Sequence, residues 1–286
     1  MTEPDLGPVF VSAEWLIEHR DRPDVVLVDI RWYLDGRSGQ AAYEAGHVPG
    51  AIYVELNTAL AAPPTRELGR HPLPEESRFA EALGAAGIGD DVTVVAYDDV
   101  GGTVAGRLVW LLRRIGQGAA LLDGGLAAWP GELETAPTLL PAVTRSPRRW
   151  PAGLIVDADT AAAAPVLIDA RAAERYRGEV EPIDSRAGHI PGARSVPFGA
   201  NLQADGHFRP PEDLRRVFAE VGVGPASDPP VVYCGSGVTA CQVLLAMEAA
   251  DLGVGRLYAG SWSQWSGDPE RPVATGSSDL PGDAHA

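Results

Sequence analysis

The sequence predicts an α/β fold made of two similar modules in tandem, each a parallel sheet with helices on both faces. An internal repeat spans most of the chain. Within each repeat, short apolar segments alternate with segments of helical periodicity, which is the pattern of parallel sheets with crossover helices. The apolar segments are bounded by Gly and Asp rather than alternating with polar residues, as expected for strands buried on both faces.

Four pairs of segments define the repeat. Each pair is separated by between 136 and 142 positions, so a module of roughly 130 residues occurs twice. The pairs are Val26–Arg31 with Val166–Arg171, Ala45–Ala51 with Ala187–Ala193, Val94–Tyr97 with Pro230–Tyr233, and Asp123–Gly125 (followed by Trp129) with Ala259–Ser261 (followed by Trp265).

The same patterns predict the individual elements. Ser12 is placed to begin a helix that carries Trp15, Leu16 and Ile17, since a serine side chain caps the first free N–H groups. Strands are predicted over 25–29, 92–97, 119–122, 166–169, 231–233 and 256–258. The other helices are predicted over 77–83, 104–115, 212–221 and 238–250.

These elements place one domain at 8–130 and a second at 154–275. Residues 131–153 between them are rich in proline and lack periodicity, so they are expected to form a semi-rigid strap over the surface. From residue 276 to 286, Ser, Gly, Pro and Asp dominate, which predicts a disordered tail.

Composition excludes several classes of function. The formal net charge of −16 disfavours nucleic acid and anionic membranes as partners. All 23 basic residues are arginine, which rules out Schiff-base chemistry and the lysine of a phosphate-binding P-loop. Neither an apolar N-terminal segment nor a membrane-length apolar run is present, so a cytoplasmic protein is expected. His and Cys do not cluster at metal-ligand spacing, and no metal is predicted.

The strongest candidate for chemistry is Cys234, at the end of the strand 231–233. Gly235 and Gly237 follow it, then a helix, so backbone N–H groups and the positive end of the helix dipole converge near the sulfur. That setting favours a nucleophilic thiolate. The second cysteine, Cys241, lies on the helix with Val238 and Leu245 and is predicted to be core.

The repeat also separates residues of the fold from residues of the site. Features in both halves are assigned to the fold: His47 with His189, Asp29 with Asp169, and Trp129 with Trp265. Cys234 has no such partner, because Asp98 stands opposite it when the repeats are aligned. A carboxylate cannot accept a sulfane sulfur, so the first module is predicted to be catalytically silent.

The segment Cys234-Gly235-Ser236-Gly237-Val238-Thr239-Ala240 resembles the active-site loop of the two-domain rhodanese superfamily, and within it most resembles the 3-mercaptopyruvate sulfurtransferases. The resemblance implies sulfur transfer through a Cys234 persulfide, without a cofactor. The N–H groups of Gly235, Ser236, Gly237, Val238 and Thr239 would stabilise that anion. Ser236 and Thr239 could add hydroxyl donors, although Thr239 could instead cap the helix.

The resemblance further implies residues that bind an anionic donor and assist its leaving group. Arg175 stands where the family carries a substrate-binding arginine, and its planar guanidinium suits a carboxylate. Ile183 and Asp184 occupy the region of the family's second arginine, which leaves Arg186 as the nearest replacement and Arg177 as another.

A proton relay is implied as well. Its serine and histidine match Ser236 and His71, but the expected aspartate is absent, and Glu55 and Asn57 stand in the corresponding segment. A glutamate could orient an imidazole as an aspartate does, so Glu55 is the candidate acid of the relay.

Alternatives remain at this stage. Gly235-Ser236 is neutral, whereas enzymes resembling classical rhodanese have Arg-Lys there, so mercaptopyruvate is favoured over thiosulfate as donor. A cysteine phosphatase would need an arginine where Ala240 stands. A carrier that receives sulfur from another protein is the non-enzyme alternative. Thioredoxin, glutathione, cyanide and a protein thiol all stay open as acceptors.

Overall fold

The computed structural model describes residues 6–277, which divide into two units. The first comprises residues 6–62, 73–151 and 204–208; the second comprises residues 63–72, 152–203 and 209–277. Two short segments are therefore exchanged: residues 63–72 pack with the second unit, and residues 204–208 pack with the first. The domain boundaries 8–130, 131–153 and 154–275 stay a prediction. Residues 278–286 of the predicted tail lie outside the described residues.

The first unit is organised on a sheet of five parallel strands in the order β1-β5-β4-β2-β3. The central strands are apolar on both faces, and Val94, Val95, Ala96 and Tyr97 are fully buried. The strands are β1 Phe10–Val11, β2 Val25–Asp29, β3 Ile52–Tyr53, β4 Thr93–Tyr97 and β5 Ala119–Leu122.

Helices flank this sheet and follow the local sequence signals. The first begins after Ser12, whose side chain accepts a hydrogen bond from the Trp15 N–H, as predicted. The helices are α1 Ala13–His19, α2 Gly39–Ala45, α3 Leu56–Ala59, α4 Glu76–Ala85 and α5 Ala105–Arg114.

The second unit repeats the same topology, with parallel strands in the order β6-β10-β9-β7-β8. This confirms that the sequence repeat is a repeat of structure. The strands are β6 Ile155–Val156, β7 Leu167–Asp169, β8 Arg194–Ser195, β9 Val231–Tyr233 and β10 Arg256–Tyr258. The helices are α6 Ala158–Ala162, α7 Ala173–Tyr176, α8 Pro211–Ala219, α9 Ala240–Ala249 and α10 Ser261–Trp265.

The histidines and aspartates shared by the two halves have matching structural roles. His47 and His189 each hydrogen-bond a tyrosine carbonyl at 2.8 Å and stack on that tyrosine's ring. Asp29 and Asp169, each fully buried, form bidentate ion pairs with the arginine two residues on. These assignments to the fold are confirmed.

The tryptophans differ between the halves. Trp265 is buried in the core of the second unit, as predicted. Trp129 is only half-buried, packs against the edge of the first core, and carries Arg20 over its ring. The prediction that both are core residues is therefore correct for one of them.

Apart from an isolated bridge between Glu134 and His47, residues 131–151 lie along the first unit without helices or strands. Arg145 anchors this strap, since its guanidinium is buried against Gln117 and donates to the Gly89 carbonyl at 3.1 Å. Farther along, the Trp150 ring packs on Phe79 and donates to the Pro74 carbonyl at 3.0 Å. Strap residues thus bury side chains that its weak periodicity does not reveal.

Two features of residues 6–277 bear on function. No helix among them is long and apolar enough to cross a membrane. Within the same residues, no group of three or more His, Cys, Asp or Glu side chains is arranged to hold a metal ion.

Candidate active site

Cys234 directly follows β9, at the carboxyl end of the second sheet. In that sheet β9 lies between β10 on one side and β7 on the other. Open parallel sheets bind ligands at this kind of position, where the chain's connections diverge. The side chain is buried, with 2% exposure, and neither Cys234 nor Cys241 is in a disulfide.

The loop after Cys234 curls around its sulfur. Gly237 has φ +76°, and its N–H points at Cys234 Sγ over 3.1 Å. A side chain at Gly237 would collide with the Ala259 carbonyl, because an ideal Cβ would lie 2.5 Å from that oxygen. The helix α9 then begins at Ala240 without a side-chain cap, so the alternative that Thr239 caps it through its hydroxyl is wrong.

The loop is held from beneath by α10. The Ser261 hydroxyl accepts from the Cys234 N–H, and the N–H groups of Trp262 and Ser263 donate to the carbonyls of Cys234 and Gly235, both at 2.9 Å. Cys241 is fully buried in the first turn of α9 and donates to the Gly237 carbonyl. Its predicted core position is confirmed.

The first unit shows what the equivalent loop does around an anion. Asp98, which stands opposite Cys234 in the repeat, is fully buried and accepts four backbone hydrogen bonds of 2.8–2.9 Å. Burial raises the pKa of Asp98, and the four N–H groups oppose that rise. The donors are the N–H groups of Val100, Gly102, Val104 and Ala105. The loop that ends β4 is therefore an anion-binding cradle filled by its own carboxylate.

Ser236 and His71 lie together beside Cys234. The His71 Nδ1 and Ser236 Oγ atoms are 2.7 Å apart, and both side chains are buried. His71 belongs to the segment 63–72 that packs with the second unit, which explains how residues so distant in sequence come to form this pair.

Two arginines converge on Gly235. A methyl group built on Gly235 would lie 3.0 Å from Arg70 Nη2 and 3.4 Å from Arg175 Nη1, so both guanidinium groups lie against the backbone next to Cys234. The placement of Arg175 agrees with its predicted role. Arg70 was not predicted, although its position directly before His71 in Gly69-Arg70-His71 was the available signal.

Two buried carboxylates accompany these arginines. Asp184 forms ion pairs with Arg70 and with Arg175, the latter at 3.1 Å, and Glu181 pairs with Arg175 at 2.7 Å. Burial raises the pKa of Asp184, while Arg70 and Arg175 oppose that rise and Glu181 adds to it. Arg70 and Asp184 also border a surface cavity of about 360 Å³.

The structure does not bring Arg186 to Cys234. Its guanidinium donates to the carbonyls of Trp265, Ser266, Asp268 and Arg271, so it fastens the segment after α10. Arg177, the other alternative, pairs with Glu179 at the surface. Both were chosen as arginines near residues 183 and 184, where the resemblance places the family's second arginine, and nearness in sequence does not show where a side chain lies.

Glu55 is placed as a helix cap. Its carboxylate accepts from the Thr58 N–H at 2.8 Å at the start of α3 and from the Asn57 amide. This is the geometry of a local structural role, and no hydrogen bond to His71 is among the contacts of its carboxylate. The acid of the predicted relay stays unidentified in the described residues.

Comparison with known proteins points in one direction. A family model described as "Rhodanese-like domain" matches twice, at residues 12–132 and 155–268. A Pseudomonas aeruginosa protein named "Probable 3-mercaptopyruvate sulfurtransferase" is 43% identical over 93% of this chain and 98% of its own length. SseB of Mycobacterium tuberculosis, provisionally named a thiosulfate sulfurtransferase, is 40% identical over 94% of this chain and 98% of its own.

A solved structure agrees with these sequence relatives. The crystal structure of SseA from Escherichia coli, described as a 3-mercaptopyruvate sulfotransferase, superposes with a TM-score of 0.76 at 32% identity. The match covers 90% of this chain and all of that one.

Proposed function

Because the chain belongs to the rhodanese family and is a sulfurtransferase, we propose that it takes a sulfane sulfur from 3-mercaptopyruvate onto Cys234 and passes it to a thiol or to cyanide. The choice of donor is supported by relatives that carry that name. The observation that carries it is the Ser236–His71 hydrogen bond beside Cys234.

The pair matters because of the leaving group. When the Cys234 thiolate attacks the sulfur of mercaptopyruvate, a sulfur–sulfur bond forms and the carbon–sulfur bond breaks, which leaves the enolate of pyruvate. The thiol proton of the donor ends on carbon 3, and the persulfide remains as an anion. A hydroxyl that donates to the enolate oxygen lowers the barrier to this step. Thiosulfate releases sulfite, which needs no such donor.

Ser236 is the hydroxyl suited to that task. In the tautomer whose proton is on Nδ1, His71 donates to Ser236 Oγ, and the Ser236 O–H is then directed at the enolate oxygen. Both groups are shielded from water, which strengthens the interaction with a developing charge.

The persulfide anion would be stabilised by the loop that follows Cys234. The equivalents of the Asp98 donors Val100, Gly102 and Val104 are the N–H groups of Ser236, Val238 and Ala240. The Gly237 N–H is already directed at the sulfur. Four N–H groups around a buried carboxylate in the first unit support the view that this loop type accommodates an anion.

Arg70 and Arg175 would hold the donor carboxylate. Both lie against Gly235, and the planar guanidinium groups match a carboxylate in shape and charge. This assigns a donor-binding role to Arg70, which was not predicted from the sequence, and removes Arg186 from the donor site.

The second half-reaction follows from the same nucleophile. An acceptor thiolate or cyanide attacks the outer sulfur, the persulfide bond breaks, and the Cys234 thiolate is regenerated. No cofactor is needed for either step, so we propose none. A cytoplasmic location, as predicted from the sequence, would supply reduced acceptors such as thioredoxin or glutathione.

Thiosulfate is the second candidate donor. The name of the Mycobacterium tuberculosis relative favours it, and the two arginines at Gly235 supply positive charge that the neutral loop lacks. A carrier loaded by another protein is the third candidate, as the sequence also left open.

The test is kcat/KM for 3-mercaptopyruvate and for thiosulfate, measured side by side with cyanide as acceptor. Cys234→Ser is the inactive control, and Cys241→Ala is the matched cysteine substitution that should retain turnover. We expect a clear preference for mercaptopyruvate. A preference for thiosulfate would reverse the choice of donor, and no turnover with either would favour the protein-fed carrier.

A further inference from the structure

Two carboxylates lie where an anionic donor is expected to bind, and the reaction gives them no evident part. Glu181 and Asp184 are nearly inaccessible, with 4% and 5% of their side chains exposed, and both face the donor arginines. Negative charges at this place repel a donor anion, so their presence calls for a physical reason.

Asp184 divides its two oxygens between the two arginines. Oδ1 accepts from Arg70 Nη1, and Oδ2 accepts from Arg175 Nη2 at 3.1 Å. The opposite edges, Arg70 Nη2 and Arg175 Nη1, are the ones that lie against Gly235. Neither of these two atoms has a hydrogen-bond partner within residues 6–277. Asp184 therefore holds one edge of each guanidinium group, so that the other edge faces Gly235, next to Cys234.

Glu181 holds Asp184 in place. Its Oε1 accepts from the N–H groups of Ile183 and Asp184, both at 3.1 Å, as well as from Arg175. Its other oxygen pairs with Arg171 at 3.4 Å, and Arg171 is itself fixed by Asp169. The turn that carries Asp184 is thus tied to the end of β7.

The charges of this cluster balance. Arg70 and Arg175 carry two positive charges, and Glu181 and Asp184 carry two negative ones. The remaining attraction for an anion comes from loop N–H groups and the α9 dipole, which amount to a fraction of a charge. Such a site accommodates one negative charge better than two, because each added unit of charge meets the carboxylates at short range.

We propose that Asp184, seated by Glu181, is a positioning and specificity-determining residue. It aligns Arg70 and Arg175, and it limits the charge of the site so that a monoanionic carboxylate donor is favoured over the thiosulfate dianion. The inference rests on the proposed function only in its choice of the two donors.

A probe of charge that needs no turnover tests this directly. Cys234 is alkylated with iodoacetate, which is an anion, and with neutral iodoacetamide, and site-resolved mass spectrometry separates Cys234 from Cys241. Asp184→Asn should raise the iodoacetate-to-iodoacetamide rate ratio on the order of tenfold. Glu179→Gln removes the same charge from the exposed partner of Arg177 and should leave the ratio unchanged.

Donor kinetics supply the second readout. Asp184→Asn should shift the kcat/KM ratio of mercaptopyruvate to thiosulfate on the order of tenfold toward thiosulfate. Removing one negative charge relieves about twice as much repulsion for a dianion as for a monoanion. Asp184→Glu, which keeps the charge, should restore the ratio of the natural chain. Thermal unfolding confirms that each variant is folded, and Asp184→Ser replaces Asp184→Asn if the latter is not.

The outcomes separate the two hypotheses. An unchanged alkylation ratio in Asp184→Asn, or an equal loss of kcat/KM for both donors, overturns the charge-setting role. If the natural chain loads no sulfur from mercaptopyruvate, the proposed function fails. The alkylation ratio still decides the role of Asp184 in that case.

Discussion

Replacing Ser236 with alanine separates the two donor reactions more sharply than any other single change in this site. The substitution removes the hydroxyl that lies 2.7 Å from His71 Nδ1 and that we assign to the enolate oxygen. It leaves the Cys234 nucleophile and the arginines at Gly235 in place. The effect should therefore fall on the leaving group alone.

The size of the effect follows from the setting of the pair. Ser236 and His71 are 8% and 6% exposed, so no solvent layer replaces the lost donor. Removing one donor to a developing oxyanion in such a site costs about 3 kcal/mol, which corresponds to roughly a hundredfold loss of kcat. With mercaptopyruvate we expect that loss. With thiosulfate, whose sulfite leaving group takes no proton, we expect kcat to change by less than about threefold.

The assay is steady-state kinetics with both donors at saturating cyanide. Ser185→Ala is the matched control, since it removes a hydroxyl that bonds only the Ser266 carbonyl among the contacts described for it. His71→Gln should reproduce the donor-selective loss, and the double variant should lose little more, because residues that act as a unit are not additive. Equal losses with both donors would show that Ser236 shapes the loop rather than assisting the leaving group.

Three further predictions test the placement of other residues. Arg175→Gln should raise the KM for mercaptopyruvate by about tenfold or more through loss of a charged contact, whereas Arg186→Gln should lower the melting temperature and leave that KM unchanged, as judged by kinetics and calorimetry. Gly237→Ala should abolish most sulfur loading, because its Cβ would lie 2.5 Å from a backbone oxygen. Gly253 also has a positive φ but has open space around it, so Gly253→Ala should only lower the free energy of unfolding, by about 1 kcal/mol. Asp98→Ala should leave four N–H groups unsatisfied and so increase hydrogen exchange at residues 100–105, with no increase at residues 236–241.

The sequence predicted the interior of each sheet well because those strands are governed by local composition. The ranges of β2, β5, β9 and β10 match their predictions, and the other long elements differ by a few residues at their ends. The edge strands β1, β3, β6 and β8 have two residues each and carry no periodicity that could reveal them. Their pairing is imposed by the neighbouring strand.

The site was predictable only where chemistry is local in sequence. Cys234 and its loop form one continuous segment, and His71 was found through a resemblance in its own short motif. Arg70 was missed because nothing in the sequence shows that the segment 63–72 packs with the second unit. Arg186 was chosen as the arginine nearest to residues 183 and 184, yet only the fold shows that its guanidinium already donates to four carbonyls.

The duplicated loop offers a physical reason for the proposed division of roles, in which the first unit is silent and the second carries the reactive Cys234. The same backbone hydrogen bond supports the loop in both units. The Leu126 N–H donates to the Asp98 carbonyl in the first unit, and the Trp262 N–H donates to the Cys234 carbonyl in the second, each at 2.9 Å. The backbone support of the two loops is therefore the same. In the first unit a permanent carboxylate satisfies the loop's N–H groups, so the cradle is complete on folding and holds no further anion.

In the second unit the shorter Cys234 side chain carries no carboxylate that could satisfy the N–H groups of the loop. In the proposed reaction, the N–H groups of this loop, of which that of Gly237 already points at the sulfur, would stabilise the Cys234 persulfide. On the proposed function, one difference in side chain separates the two loops. The carboxylate of Asp98 satisfies its loop on folding, whereas the loop at Cys234 would gain its anion only when the persulfide forms. Because catalysis depends on interactions that strengthen as the reaction proceeds, this difference supports the proposed chemistry at Cys234 and a structural role for Asp98.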